Sequence, residues 1–213
     1  MKNKDLKKRI LEISYPRKLS HLGSCLTAVD IIDDIFKIKK PEEKFILSSG
    51  HAGLALYVVL EKYFKLDAEK IFEHHGVHPD RCVECKIDCS SGSLGNGLPI
   101  AVGMALADRT KDVYCLISDG ECSEGSIWEA MRIAWEQKLD NLKVYLNYNH
   151  WAAYRPTDNT WIPARWKMRN DKRWDNLIQI EANVEQLPFL KGQDAHYHVM
   201  NEEEYKQAME VLK

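Results

Sequence analysis

The stretch from Val113 to Asn149, VYCLISDGECSEGSIWEAMRIAWEQKLDNLKVYLNYN, constrains the fold more than any other. Val113 to Ile117 is a short apolar run rich in β-formers, of the kind a buried parallel strand shows. Ser118, Asp119 and Gly120 follow as a sharp turn, leaving a carboxylate at the strand's end. From Gly125 the residues Ile127, Met131, Ala134 and Trp135 fall at helical spacing, and Asn141 breaks that helix. Val144 to Tyr148 reads as a second strand, with Asn149 at its tip. In open α/β sheets ligands bind outside the carboxyl ends of the strands, so Asp119 and Asn149 are expected to converge on one crevice. One carboxylate and one amide oxygen make a poor cage for a bare ion. They make a good half-site for Mg²⁺ that keeps phosphate oxygens as its other ligands. The turn from Gly120 to Gly125 adds backbone N–H groups and a helix N-terminus, which suit a diphosphate. An ordinary strand–helix–strand unit with capping residues gives the same pattern, and spacing alone leaves both open.

The rest of the chain narrows the class. Its 213 residues are read as a single domain spanning residues 1–213, long enough to bury a substantial core. A net charge of −2 gives no global pull toward nucleic acid or an anionic membrane. No apolar run reaches transmembrane length. The basic N-terminus MKNKDLKKRILEISY lacks the apolar segment of a signal peptide, and Leu6, Ile10 and Ile13 predict an amphipathic surface helix. Six cysteines without an export signal imply reduced thiols and a cytoplasmic location. Further elements are predicted at Leu26 to Phe36 (helix), Lys44 to Leu47 (strand), Asp67 to His74 (helix), Leu177 to Ala182 (strand) and from Glu202 onward (helix capped by Asn201).

The order DG, EG, then an asparagine 30 positions beyond Asp119 is similar to the thiamine-diphosphate motif. SDGECSEGSIWEAMRIA and NLKVYLNYN resemble the corresponding stretch of transketolases. That resemblance implies that Asp119 and Asn149 bind the divalent ion (Mg²⁺, or Ca²⁺ or Mn²⁺) with the backbone carbonyl of Trp151, and that Gly120 and Glu124 belong to the cofactor motif. Four other segments resemble the same family. SHLGSCLTAVD implies a substrate-contacting His21. FILSSGHAGLALY implies His51 on the diphosphate, where the start of a helix should keep the imidazole neutral. GSLGNGLPIAVGMALA implies backbone contacts from Gly92 and Leu94 to the aminopyrimidine ring. His78-Pro79-Asp80 precedes Gly92 by the family's interval. The ending HYHVMNEEEYKQAM implies His196 at the diphosphate and substrate. Departures from the family pattern are Ser118, Tyr197 and Ser20 for glycine, Ser93 and Leu22 for proline, and Val77 for glycine.

Two features stand outside the resemblance. Cys82, Cys85 and Cys89 form a C-x2-C-x3-C cluster that could take zinc with a nearby His or Cys, although one half-site alone reads more simply as free cytosolic thiols. The segment HWAAYRPTDNTWIPARWKMRNDKRWDN is rich in Trp and Arg. It is short and balanced by acidic residues, so a protein interface is favoured over single-stranded nucleic acid.

The resemblance covers Arg17 to Leu212 and implies a doubly wound α/β/α sandwich with a parallel sheet, consistent with the alternation of strands and helices. It implies transfer of a two-carbon ketol unit between sugars or sugar phosphates, with His21 and His78 orienting hydroxyls or moving protons. No segment resembles the family's second domain, which carries the glutamate that activates the aminopyrimidine ring. The resemblance therefore implies a pyrimidine-domain partner subunit and a heterotetramer of two αβ pairs. The alternatives are a subunit of another thiamine-dependent enzyme, such as a decarboxylase or a deoxyxylulose-phosphate-synthase-like half, and a non-catalytic scaffold retaining the fold.

Overall fold

The computed structural model describes residues 1–157 and 177–213. Most of the Trp- and Arg-rich segment, and with it the expected interface, lies outside the described residues. Two helices, α1 (Lys4–Arg17) and α2 (Leu22–Ile38), lead into strand β1 (Lys44–Leu47). Three helices follow: α3 (Gly53–Phe64), α4 (Ala68–His75) and α5 (Gly97–Ala107). Then come β2 (Val113–Ser118), α6 (Gly125–Glu136), β3 (Leu142–Tyr148), β4 (Leu177–Glu181) and α7 (Glu202–Val211). The four strands form one parallel sheet in the order β1-β2-β3-β4.

The pleat sorts the strand residues onto two faces. Val113, Cys115 and Ile117 of β2 join a core with α5 and α6, while Tyr114 and Leu116 join the opposite core with α1, α2 and α3. Helices therefore cover both faces, and every residue of β2 is buried, as a parallel strand between two helix layers must be. Because all four strands are parallel, their carboxyl ends lie along one edge, and the loops after β1, β2 and β3 meet there.

Two helices differ from the sequence expectation for physical reasons. Helix α2 begins at Leu22, not Leu26, because His21 takes a left-handed backbone (φ 62°) that sets the helix start directly after it. Helix α1 is less of a surface element than its periodicity suggests: Ile10, Leu11 and Ile13 are fully buried. Even Lys7 is buried, its ammonium paired with Asp30 of α2 at 2.6 Å. The predicted cap of α7 is present as a full capping box, Asn201 and Glu204 each accepting from the other's backbone N–H. Among the described residues no helix is long and apolar enough to cross a membrane.

Candidate functional site

At the carboxyl edge of the sheet, three loops are locked together by one carboxylate that the sequence reading did not single out. Glu121 is fully buried in the 3₁₀ turn after β2. Its Oε1 accepts from Ser48 Oγ (2.5 Å) after β1 and from Gly95 N (2.9 Å) in the loop before α5. Its Oε2 accepts from Ser118 N (2.9 Å) and Ser118 Oγ (3.4 Å). Ser118, where the family pattern has glycine, thus gives its hydroxyl to this clamp. The loops are close enough that glycine is required where they cross. Gly95 has φ +81°, and a Cβ there would lie 2.7 Å from Glu124 Cβ.

Above this clamp lies a cavity of about 200 Å³. It is lined by His21, His51, His78, Gly92, Leu94, Gly120, Asn149, Trp151 and His196, together with Ser118, Ala152, Ala153 and Tyr197. Residues from seven separated stretches of sequence meet there, nine of them named from sequence. His21 and His51 have ring centroids 5.1 Å apart, and His51 and His196 6.4 Å. Gly92 has φ +147°, and a Cβ on it would press on the His78 ring at 3.1 Å, so the glycine seats that imidazole.

Three of these imidazoles, His21, His51 and His196, are held toward the neutral form. Burial lowers the pKa of His51 to about 3, with His21, His196 and His78 adding repulsion against a second proton. Neutrality was expected from the helix start, but the larger cause is desolvation. Burial also lowers His21, helped by His196 and His78. It lowers His196 against an opposing effect of the Trp151 backbone. Ser24 Oγ lies 2.9 Å from His196 Nδ1 and fixes that ring. Among the described residues His196 Nε2 and His21 Nδ1 are buried without a hydrogen-bond partner. Orphaned ring nitrogens on a cavity wall are groups that a bound ligand would satisfy.

Asp119 sits beneath the cavity, fully buried, and burial raises its pKa to about 6. Its Oδ1 accepts from Gly120 N (3.0 Å); its Oδ2 accepts from His150 N (2.7 Å) and Thr157 Oγ1 (2.8 Å). A carboxylate offers about four lone-pair positions, so one remains open. The Asn149 oxygen accepts from Trp151 N (3.1 Å), which likewise leaves one open position. A divalent ion between these groups would give the buried carboxylate the countercharge that its surroundings lack. The residues therefore fit the ion and the diphosphate. Glu124 differs in placement from the other motif residues: it is exposed at the start of α6, outside the cavity lining.

The family profile described as "Transketolase, thiamine diphosphate binding domain" matches residues 21–186, which hold every lining residue of this cavity except His196 and Tyr197. The chain belongs to the transketolase family. It is 40% identical over 198 residues to the transketolase of Pongo abelii, an alignment covering 83% of this chain and 32% of that protein. The chain thus spans about a third of the full-length transketolases it matches. It is 30% identical to the 6-deoxy-6-sulfo-D-fructose transketolase subunit SqwG of Clostridium sp. (strain MSTE9), covering 88% of this chain and 78% of that subunit. The transketolase structure from Campylobacter jejuni shares the fold, with a TM-score of 0.71 at 20% identity, covering 97% of this chain and 41% of that one. Membership makes this a thiamine-diphosphate-binding domain.

Residues that hold the site, Glu121, Thr157 and Ser24 among them, have no counterpart in the sequence reading. Glu121 carried a usable signal, a second carboxylate two residues after Asp119 in a glycine-rich turn. Thr157 carried none, being 38 positions from the carboxylate it contacts.

Proposed function

We propose that this chain is the diphosphate-binding subunit of a thiamine-dependent transketolase-type transferase that moves a two-carbon ketol unit between sugars. The observation that carries this is the meeting of His21, His51, His78 and His196 on one cavity above Asp119 and beside Asn149. Asp119, Asn149 and the Trp151 carbonyl would hold Mg²⁺, or Ca²⁺ or Mn²⁺ in its place. His51 and His196, neutral at working pH, would donate to diphosphate oxygens, and the loop at Gly120 brings backbone N–H groups to the same place. Leu94 and the Gly92 backbone would support the aminopyrimidine ring. When bound, thiamine diphosphate supplies the carbon–carbon chemistry. His21 and His78, on the same wall, orient sugar hydroxyls and carry protons at neutral pH.

A partner subunit belongs to the same proposal. The SqwG relative is described as a subunit, and this chain covers 78% of it. Helix α5 supports the same conclusion. It is apolar all round, and Ile100 (40%) and Leu106 (38%) remain exposed on its outer side. An apolar helix face open to water marks an association surface. A pyrimidine-domain subunit there would bring the activating glutamate and enclose the ring end of the cofactor, and two such pairs would give a heterotetramer. A cytoplasmic setting belongs to the same proposal, since none of the six cysteines is joined in a disulfide.

Isothermal titration with thiamine diphosphate and Mg²⁺, with and without the partner, separates an enzyme subunit from a scaffold. The enzyme subunit is expected to bind the pair with a strict metal requirement. Absence of binding in the assembled complex would identify a scaffold. Product analysis with ketose phosphates then separates ketol transfer from decarboxylation.

A further inference from the structure

The cysteine cluster outside the cofactor site resolves into a different ligand set from the one its spacing suggests. Cys89 turns away: it is buried in the core under α5 and α6, its thiol donating to Ser90 O. His75, the last residue of α4, takes its place. His75, Cys82 and Cys85 each offer one ligand atom, and all three atoms lie within 4.8 Å of one another. His75 Nε2 is 3.4 Å from Cys85 Sγ. Tetrahedral zinc needs edges of about 3.5 Å between nitrogen and sulfur and about 3.8 Å between two sulfurs, from its usual bond lengths. The ligand atoms need to close by only about an ångström to reach those edges.

The backbone is shaped for it as well. Cys82 and Ile87 pair across a tight hairpin, Cys82 N to Ile87 O at 2.9 Å and Ile87 N to Cys82 O at 2.8 Å. Lys86 takes a left-handed conformation (φ 59°) so that the chain can turn. Both sulfurs then face one side, and Cys85 N donates to Cys82 Sγ at 3.2 Å. A backbone N–H on sulfur stabilises the thiolate that a metal requires. Glu84 Oε2 lies 3.5 Å from Cys82 Sγ.

We propose that His75, Cys82 and Cys85 bind a zinc ion, with the fourth position taken by water or the Glu84 carboxylate, and that this ion fixes the loop that carries His78 to the cavity. Soft thiolates with one imidazole select zinc over Mg²⁺ or Ca²⁺. The loop needs such a tie. Residues 76–96 carry no helix, and their only strand-like pairing is the Cys82–Ile87 bridge. Loops of this length without structure of their own are uncommon in compact domains unless they serve a site. The ion joins the end of α4 to the hairpin and closes the chain around His78.

The test is metal content of the reduced full chain, purified without a polyhistidine tag, followed by Co²⁺ titration of the chelator-treated protein. About one zinc per chain is expected, and Co²⁺ should give a thiolate-to-cobalt charge-transfer band with tetrahedral d–d bands. Cys82→Ser and Cys85→Ser should each remove both signals, while Cys89→Ser should keep them. Zinc removal should also expose residues 76–96 to protease while the far-ultraviolet circular dichroism stays unchanged. Zinc below about a tenth per chain together with no cobalt spectrum would overturn the proposal. So would iron in place of zinc, or full metal retention in the Cys82→Ser, Cys85→Ser double variant.

Discussion

Glu121→Gln tests the clamp beneath the cofactor site with almost no change of shape. The carboxylate accepts from four donor groups, two on each oxygen. An amide keeps one accepting oxygen and turns the other position into a donor. With the amide oxygen toward Ser48 and Gly95, the new NH₂ faces the Ser118 N–H. In the flipped orientation it faces the Gly95 N–H. The two serine hydroxyls can rotate and accept, but one backbone N–H loses its acceptor either way. A buried donor left unpaired costs about 1–3 kcal/mol, and the mid-value of about 2 kcal/mol corresponds to a fall in Tm of about 4–8 °C for a domain of this size. Ser48→Ala removes a single donor and leaves the carboxylate three, so it should cost about half as much. Differential scanning fluorimetry on the two variants reads both numbers. The loosened loops carry Leu94 and Gly120, so thiamine-diphosphate affinity should fall in the same order. A Tm for Glu121→Gln within about a degree of the parent, or a larger loss for Ser48→Ala, would refute the clamp.

Three further outcomes follow from the same geometry. Asp119→Asn should remove Mg²⁺-dependent cofactor binding by calorimetry while keeping the fold; unchanged affinity would rule out Asp119 as the metal ligand. His51 is held neutral, with its folded pKa depressed to about 3 from an ordinary value near 6.5. The stability this gives is complete above about pH 6.5 and is lost as pH falls toward 3, about 2 kcal/mol of it by pH 5. Chemical denaturation of His51→Gln across pH 5 to 7 should show that slope flattened, and an unchanged slope would count against the buried neutral ring. Gly92→Ala should lower sugar affinity more than cofactor affinity, because the added Cβ pushes on His78; equal losses in both would mean that His78 has no part in substrate binding.

Much of the site was legible in the sequence, for two different reasons. The strands ending at Asp119 and Asn149 could be read from short runs of apolar β-formers, because a strand between two helix layers is mostly apolar. The convergence of the four histidines could not. They lie on separate segments, and only the resemblance to a family brought them to one place. The neutrality of His51 was anticipated for a lesser reason: the helix start contributes locally, but burial among other imidazoles depends on packing that no short window shows. Thr157 and Ser24, which hold Asp119 and His196, gave no sequence signal because they act across 38 and 172 positions. The cysteine cluster shows the same limit. Spacing grouped Cys89 with Cys82 and Cys85, yet the loop after the hairpin sends Cys89 into the core, and His75 comes from a neighbouring helix instead.

Whether this chain works as half of a two-subunit ketol transferase is decided by a transfer assay on the chain alone and together with a co-expressed pyrimidine-domain subunit, in thiamine diphosphate and Mg²⁺. No transfer is expected from the chain alone, robust transfer from the assembled pair, and loss of that activity with Asp119→Ala although the pair still assembles. Robust transfer by the purified chain without a partner, or full activity of the Asp119→Ala pair, would contradict that expectation.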